Sequence, residues 1–94
     1  MAADGERRRA HVRVRGRVQG VFFRGETQAR ARSRGVAGWV RNVHDGTVEA
    51  VFEGASEAVE SMIDWCRHGP HGADVEDVEV AWEAPSAETG FSVR

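Results

Sequence analysis

The sequence predicts an α+β domain in the order β-α-β-β-α-β, with two helices on one face of an antiparallel sheet and a short strand at the end. Three observations carry this. Val12, Val14 and Val18 alternate with Arg13, Arg15 and Arg17, the period-two pattern of a half-buried strand. Val59, Met62, Ile63 and Cys66 fall at i, i+3, i+4 and i+7, the stripe of an amphipathic helix. Asp45-Gly46 between two further β-type runs is hairpin turn chemistry. Together they give the split-βαβ, ferredoxin-like arrangement.

The elements follow in order. Residues 1–9 are small, polar and charged, and read as a flexible tail ending in Arg7-Arg8-Arg9, so the domain is expected over 10–94. The first strand runs from His11 to Val18. A helix over Phe22 to Arg34 ends at Gly35, a good C-cap residue. Its apolar face, Phe23, Thr27 and Ala31, is thin, so its contact with the sheet rests on small side chains. Val36–Val43 and Thr47–Glu53 form the two arms of the hairpin, the second with Val48, Ala50 and Phe52 alternating against Glu49 and Glu53. Ser56 is a natural N-cap for the second helix, and His68-Gly69-Pro70 ends it. Val75–Glu83 is a fourth strand with Val78, Val80 and Trp82 facing in, and Phe91–Arg94 adds a short terminal strand.

The 94 residues suit one modest core. They contain no lysine, leucine or tyrosine, so that core must be built from valine, alanine and a few aromatics. No apolar run is long enough to span a membrane, and no signal-peptide core is visible near the start. Cys66 is the one cysteine, which excludes an intrachain disulfide and a cysteine metal cluster. A cytoplasmic protein without membrane partners is expected.

Charge is divided unevenly. Residues 1–43 carry eleven arginines against Asp4, Glu6 and Glu26, whereas residues 44–94 carry twelve acids against Arg67 and Arg94. A basic half can signal nucleic-acid binding. The predicted fold argues otherwise, because it sets the first strand between the third and fourth. Arg13, Arg15 and Arg17 then lie between Glu49 and Glu53 on one side and Asp77, Glu79 and Glu83 on the other. RNA recognition on this sheet would also need aromatics on the central strands. No nucleic-acid partner is expected.

The chemistry points to Gly16-Arg17-Val18-Gln19-Gly20-Val21-Phe22-Phe23-Arg24. A strand leads into a glycine-bounded turn and then a helix start, a layout whose backbone N–H groups can hold an anion. Arg24 falls in the first helical turn, where a cation opposes the helix dipole unless an anion is bound beside it. Alone, the glycine pair fits a surface loop with a solvated arginine equally well. Asn42, at the end of the second strand, reads on its own as a turn residue. The four histidines lie in separate segments and read as surface or structural, and the three tryptophans read as core or groove packing.

Gly16-x-Val18-Gln19-Gly20-Val21-x-Phe23-Arg24 resembles the signature of acylphosphatases, enzymes that hydrolyse carboxyl–phosphate mixed anhydrides. Gly38-Trp39-Val40-Arg41-Asn42-x-x-Asp45-Gly46-x-Val48-Glu49 is similar to their second signature. Gly69-Pro70, Ala73-x-Val75 and the ending Phe91-x-Val93-Arg94 extend the resemblance from about His11 to Arg94. It implies a monomeric enzyme acting on small acyl phosphates such as carbamoyl, acetyl or bisphosphoglycerate-type anhydrides, with no metal or other cofactor. It further implies that the loop Gln19, Gly20, Val21, Phe22, Phe23 and Arg24 binds the phosphoryl group. Arg24 would be the catalytic arginine, and Asn42 would orient the attacking water. The alternative is a ferredoxin-like binding module for nucleic acid or an acyl-phosphate ligand, without catalysis, because fold alone does not fix function. A variant of it is a detached domain presenting an acyl phosphate to a larger maturation enzyme, against which the chain's length and separate termini speak.

Overall fold

Alternation and helical spacing resolve into seven elements in a computed structural model that describes residues 6–94. They are β1 (Arg7–Arg17), α1 (Phe23–Ser33), β2 (Ala37–Asn42), β3 (Val48–Ala55), α2 (Ser56–Cys66), β4 (Asp74–Glu83) and β5 (Phe91–Val93). The sheet order is β4-β1-β3-β2-β5, so β1 is flanked by β3 and β4 as expected. Period-two alternation sends Ala10, Val12 and Val14 of β1, Val40 of β2, and Val48, Ala50 and Phe52 of β3 into one buried face. Both helices pack there. α2 contributes Val59, Met62, Ile63 and Cys66, and α1 contributes only Phe23, Thr27 and Ala31. Burial pushes the Cys66 thiol up to about 12, so it serves as a small hydrophobe and not as a nucleophile.

Four expectations need correction. The tail does not extend to residue 9: β1 begins at Arg7, and the part of that expectation covering residues 1–5 lies outside the described residues. The strand reaches back because each of its first three arginines meets a partner. Arg7 and Arg9 pair with Glu53, while Arg8 bonds Glu60 and lies over the Trp82 ring at 3.6 Å. Second, the sheet is mixed, not antiparallel throughout. Chain reversal after β4 brings β5 in beside β2 running the same way, with Gly38 opposite Phe91 and Val40 opposite Val93. Third, Trp82 points to the helix side but is 45% exposed, because it stands at the end of the edge strand β4. Trp39 likewise is no core residue. It sits on the open side of the sheet, edge-on to His11 and under the Arg94 guanidinium at 4.6 Å.

The fourth correction concerns the charge lattice. The register sets Arg13 opposite both Glu49 and Glu79, as expected. The bonds follow the lattice only in part: Arg15 reaches Glu79 at 3.4 Å as expected, but Arg13 reaches Asp45 at 3.2 Å, and Glu49 is taken by His11 and by Arg41 at 2.6 Å. Arg17 makes no ion pair among the described residues, although Asp74 stands opposite it. Burial pushes the Glu49 carboxyl up, but the His11 and Arg41 contacts outweigh it and hold it below 4.5.

Glu53 is not a surface acid. Residues 84–90 cross the open face of the sheet and cover it, leaving its side chain 0% exposed. It accepts hydrogen bonds from Ser86 N–H at 3.0 Å, Ala87 N–H at 2.9 Å, and the guanidinium groups of Arg7 and Arg9 at 3.0 Å each. Burial acts to raise its pKa, but the Ser86 N–H, Arg9 and Arg7 overcome that and hold it at about 2 against an ordinary 4.5.

Stability should therefore depend on this group in acid. A depressed folded-state pKa means the unfolded chain takes up the proton first, so the clamp's contribution is complete above pH 4.5 and drains away towards about pH 2. Glu53→Gln keeps the shape and removes the charge. It should lower unfolding free energy at neutral pH by about 1.5–3 kcal/mol, the range for hydrogen bonds to a charged group. The deficit should shrink as pH approaches 2. Urea titrations of both proteins across that range measure it, and a pH-independent deficit would show that packing, not charge, is lost.

Candidate active site

β1 ends at Arg17, and α1 starts at Phe23, with the chain turning through Gly20 at φ +75°. A side chain at Gly20 would meet no atom within 4 Å, so the glycine is required by its backbone angle and not by crowding. Phe22 is the helix N-cap and lies at φ +62°, ψ +22°, a left-handed conformation that costs a non-glycine residue about 1–2 kcal/mol. No side chain caps this helix. Among the described residues, none of the N–H groups from Gly20 to Gly25 finds an acceptor in the chain. Such donors are costly to leave bare and favourable around an anion.

The second wall comes from the β2–β3 hairpin. Thr47 donates through its N–H and hydroxyl to Asp45 Oδ1, at 3.0 and 2.7 Å, which fixes the turn. These two bonds, and Arg13 beyond them, hold the Asp45 carboxyl below its usual range. Gln19 Nε2 then donates to the carbonyls of Val43 at 2.8 Å and Thr47 at 2.9 Å. That side chain fastens the loop after β1 to the end of β2, and Asn42 is the last residue of β2.

A cleft of about 350 Å³ opens between these parts, lined by Val18, Gly20, Phe22, Phe23, Arg24, Gly25, Asn42 and Val93. Arg24 and Asn42, far apart in sequence, thus share one depression. No Asp or Glu side chain among the described residues pairs with the Arg24 guanidinium; its one hydrogen bond runs from Nη1 to the main-chain oxygen of Arg94 at 3.4 Å. Asn42 makes no side-chain hydrogen bond among the described residues, so its amide can serve a ligand. Gln19 and Val21 do not line the cleft: Gln19 is spent on the hairpin, and Val21 packs against the core.

Three lining residues carry no binding role in the sequence reading. Val18 appears there as a strand residue and as a member of the first motif. Gly25 sits in the first turn of α1, where glycine costs roughly 1 kcal/mol relative to alanine. That cost was a readable sign of a space kept open, since a side chain there would touch nothing within 4 Å. Val93 comes from β5, and only the parallel pairing with β2 brings it to the cleft. Among the described residues no three His, Cys, Asp or Glu side chains gather as a metal site, and no helix is long and apolar enough to cross a membrane.

Comparison with known proteins adds to this geometry. The acylphosphatase family model matches residues 10–93. The chain belongs to the acylphosphatase family. It is 59% identical over 85 residues to the acylphosphatase of Gloeobacter violaceus, covering 90% of this chain and 91% of that one. With the acylphosphatase of Natronomonas pharaonis it shares 55% over 89 residues, covering 95% and 97%. The structure of an acylphosphatase from Coxiella burnetii superposes with a TM-score of 0.90 at 34% identity, over 94% of this chain and 93% of that one. By family the chain is thus an enzyme, with a ferredoxin-like α+β architecture.

The junction made by Gln19 gives a test of how the site is held. Gln19→Ala removes two donors, while Val43 O keeps Gly46 N–H and Thr47 O keeps Val43 N–H. The loss of stability should therefore be modest, about 1 kcal/mol. Turnover should fall further than stability implies, about tenfold, because the loop and Asn42 are no longer tied together. Chemical denaturation and steady-state kinetics on one preparation decide the matter, and full activity in a destabilised variant would show that the junction does not position the site.

Proposed function

We propose that this enzyme hydrolyses small acyl phosphates to a carboxylate and inorganic phosphate, with the phosphoryl group bound by the loop 19–24 and Arg24 and the water held by Asn42. The observation that carries the reading is that Arg24, Asn42 and the loop with unpaired N–H groups line a single cleft. The leaving group is a carboxylate, a weak base, so the reaction has little need of a general acid. It needs the phosphoryl charge neutralised and a water aligned opposite the departing oxygen. The water oxygen forms a bond to phosphorus as the bond from phosphorus to the acyl oxygen breaks. The acyl oxygen leaves with the electron pair, and one water proton is released.

Each residue's chemistry matches one of these tasks. A guanidinium offers a planar fork to two phosphoryl oxygens and stays charged throughout. Backbone N–H groups add fixed donors that need no reorganisation as charge shifts. A carboxamide both donates and accepts, so Asn42 can orient a water without taking its proton. Among the described residues no Asp or Glu side chain pairs with Arg24, which leaves its charge available to an anion.

The roles separate kinetically. Arg24→Ala removes a charged contact that strengthens in the transition state, and activity should fall by roughly 10²–10³, with loss of inhibition by inorganic phosphate. Asn42→Ala should lower kcat steeply with KM and phosphate inhibition nearly constant, the pattern of an interaction made mainly in the transition state. Steady-state kinetics on an acyl phosphate with phosphate inhibition constants measure both. Equal weakening of phosphate binding in the two variants would make Asn42 a phosphate ligand and overturn its assigned role.

A further inference from the structure

The two edges of the sheet are finished differently. β5 is three residues long, and its Phe91 carbonyl accepts from the Gln28 amide at 3.2 Å and the Arg32 guanidinium at 3.3 Å. β4 is ten residues long and pairs with β1 on one side only. Among the described residues no loop or helix backbone group closes its other edge. The helix side of β4 is also half roofed, because α2 packs over β1 and β3. Val75, Val78 and Val80 are half-buried, and Trp82 is 45% exposed. A groove of about 240 Å³ is left between β4 and α2, with Ile63, Val80 and Trp82 bordered by Glu60, Asp64 and Arg67. On the open side of β4, Asp77 makes no ion pair among the described residues, and Glu79 has only the long one to Arg15. Keeping copies apart would explain acids on an edge strand. It does not explain an exposed tryptophan beside half-open valines.

We propose that the free edge of β4, with the groove beside it, docks an extended segment of another protein in which apolar residues alternate with arginine or lysine. The strand on the other side of β4 shows the fit. β1 sets Val12 and Val14 beside Val80 and Val78 on the helix side, and Arg13 and Arg15 opposite Glu79 and Asp77 on the open side. A strand added to the free edge meets the same two faces, since paired residues of neighbouring strands share a face. Its backbone pairs with β4, its apolar residues cover Val78, Val80 and Ile63, and its cations meet Asp77 and Glu79. Trp82 stands at one end of this shelf, and its ring already lies under the Arg8 guanidinium at 3.6 Å, so it suits a cation. A second copy of this chain fits poorly. β4 laid against β4 sets acids beside acids, which is destabilising, and β5 offers only three residues.

The probe is a labelled synthetic peptide with the sequence of residues 10–18, titrated against the protein by fluorescence anisotropy at ~150 mM salt. A second peptide of the same composition, with its valines and its arginines each grouped together, keeps the charge and destroys the alternation. Two variants map the site: Asp77→Asn with Glu79→Gln, which removes charge and keeps shape, and Trp82→Ala. None of these residues lines the cleft, so unchanged hydrolysis of an acyl phosphate reports that each variant is folded. Wild type should bind the first peptide saturably. The regrouped peptide, and each variant with the first peptide, should bind about five- to tenfold more weakly. No saturation below about 1 mM, equal binding of the regrouped peptide, or undiminished binding by either variant overturns the proposal. Sedimentation of wild type as a dimer that the peptide dissociates would make a second copy the occupant, and overturns it as well.

Discussion

The buried carboxylate of Glu53 ties the two ends of the chain to the middle of the sheet. Four donors converge on it, two from the start of β1 and two from the backbone of residues 84–90. That segment must carry the chain from the edge strand β4 across the open face to the opposite edge, where β5 pairs with β2. Nothing apolar anchors the crossing; every residue from Ala84 to Gly90 is exposed or partly so. A polar clamp is what remains. Through it, the position of Val93 in the cleft wall, and of the Arg94 carbonyl beside Arg24, depends on a carboxylate that is no part of the cleft lining.

The same economy governs the arginines. Among the described residues, five of the six arginines of β1 have acidic partners, namely Arg7, Arg8, Arg9, Arg13 and Arg15, and only Arg17 has none. Such pairing suppresses a positive field on the sheet, where exposed pairs contribute little to stability. Arg24 is placed differently. It stands in the first turn of a helix, with uncapped N–H groups around it, and its hydrogen bond among the described residues goes to the main-chain oxygen of Arg94. Positive charge, helix dipole and unpaired donors all have the same sign there, an arrangement that favours an anion and repels a cation.

Much of this was legible in the chain. Alternation in β1 and β3, the stripe of α2 and the Asp45-Gly46 turn depend on local spacing, and local spacing survives folding. Arg24 and Asn42 were legible as members of two short motifs, one at each end of a strand. What was not legible depends on contacts between distant segments. Arg7, Arg8 and Arg9 look like a tail until Glu53, Glu60 and Trp82 are placed beside them. Glu53 looks like a solvent-facing acid, since the alternation that turns it away from the helices is real. Only the covering segment makes it buried. The parallel direction of β5 follows from reversal after β4, not from any residue in Phe91–Val93.

Gln19 shows how a motif residue can shape the surroundings of a cleft without lining it. Its amide meets two carbonyls of the hairpin, and the backbone on either side of it is what borders the cleft. Asparagine would be one carbon shorter, and glutamate would set a carboxylate against two carbonyls. Either would lose the bond that makes loop and hairpin one unit. The demand for an amide of that length is a demand on geometry. Phe22 is the opposite case: its backbone belongs to the loop, yet among the described residues it is 85% exposed and adds nothing to the core.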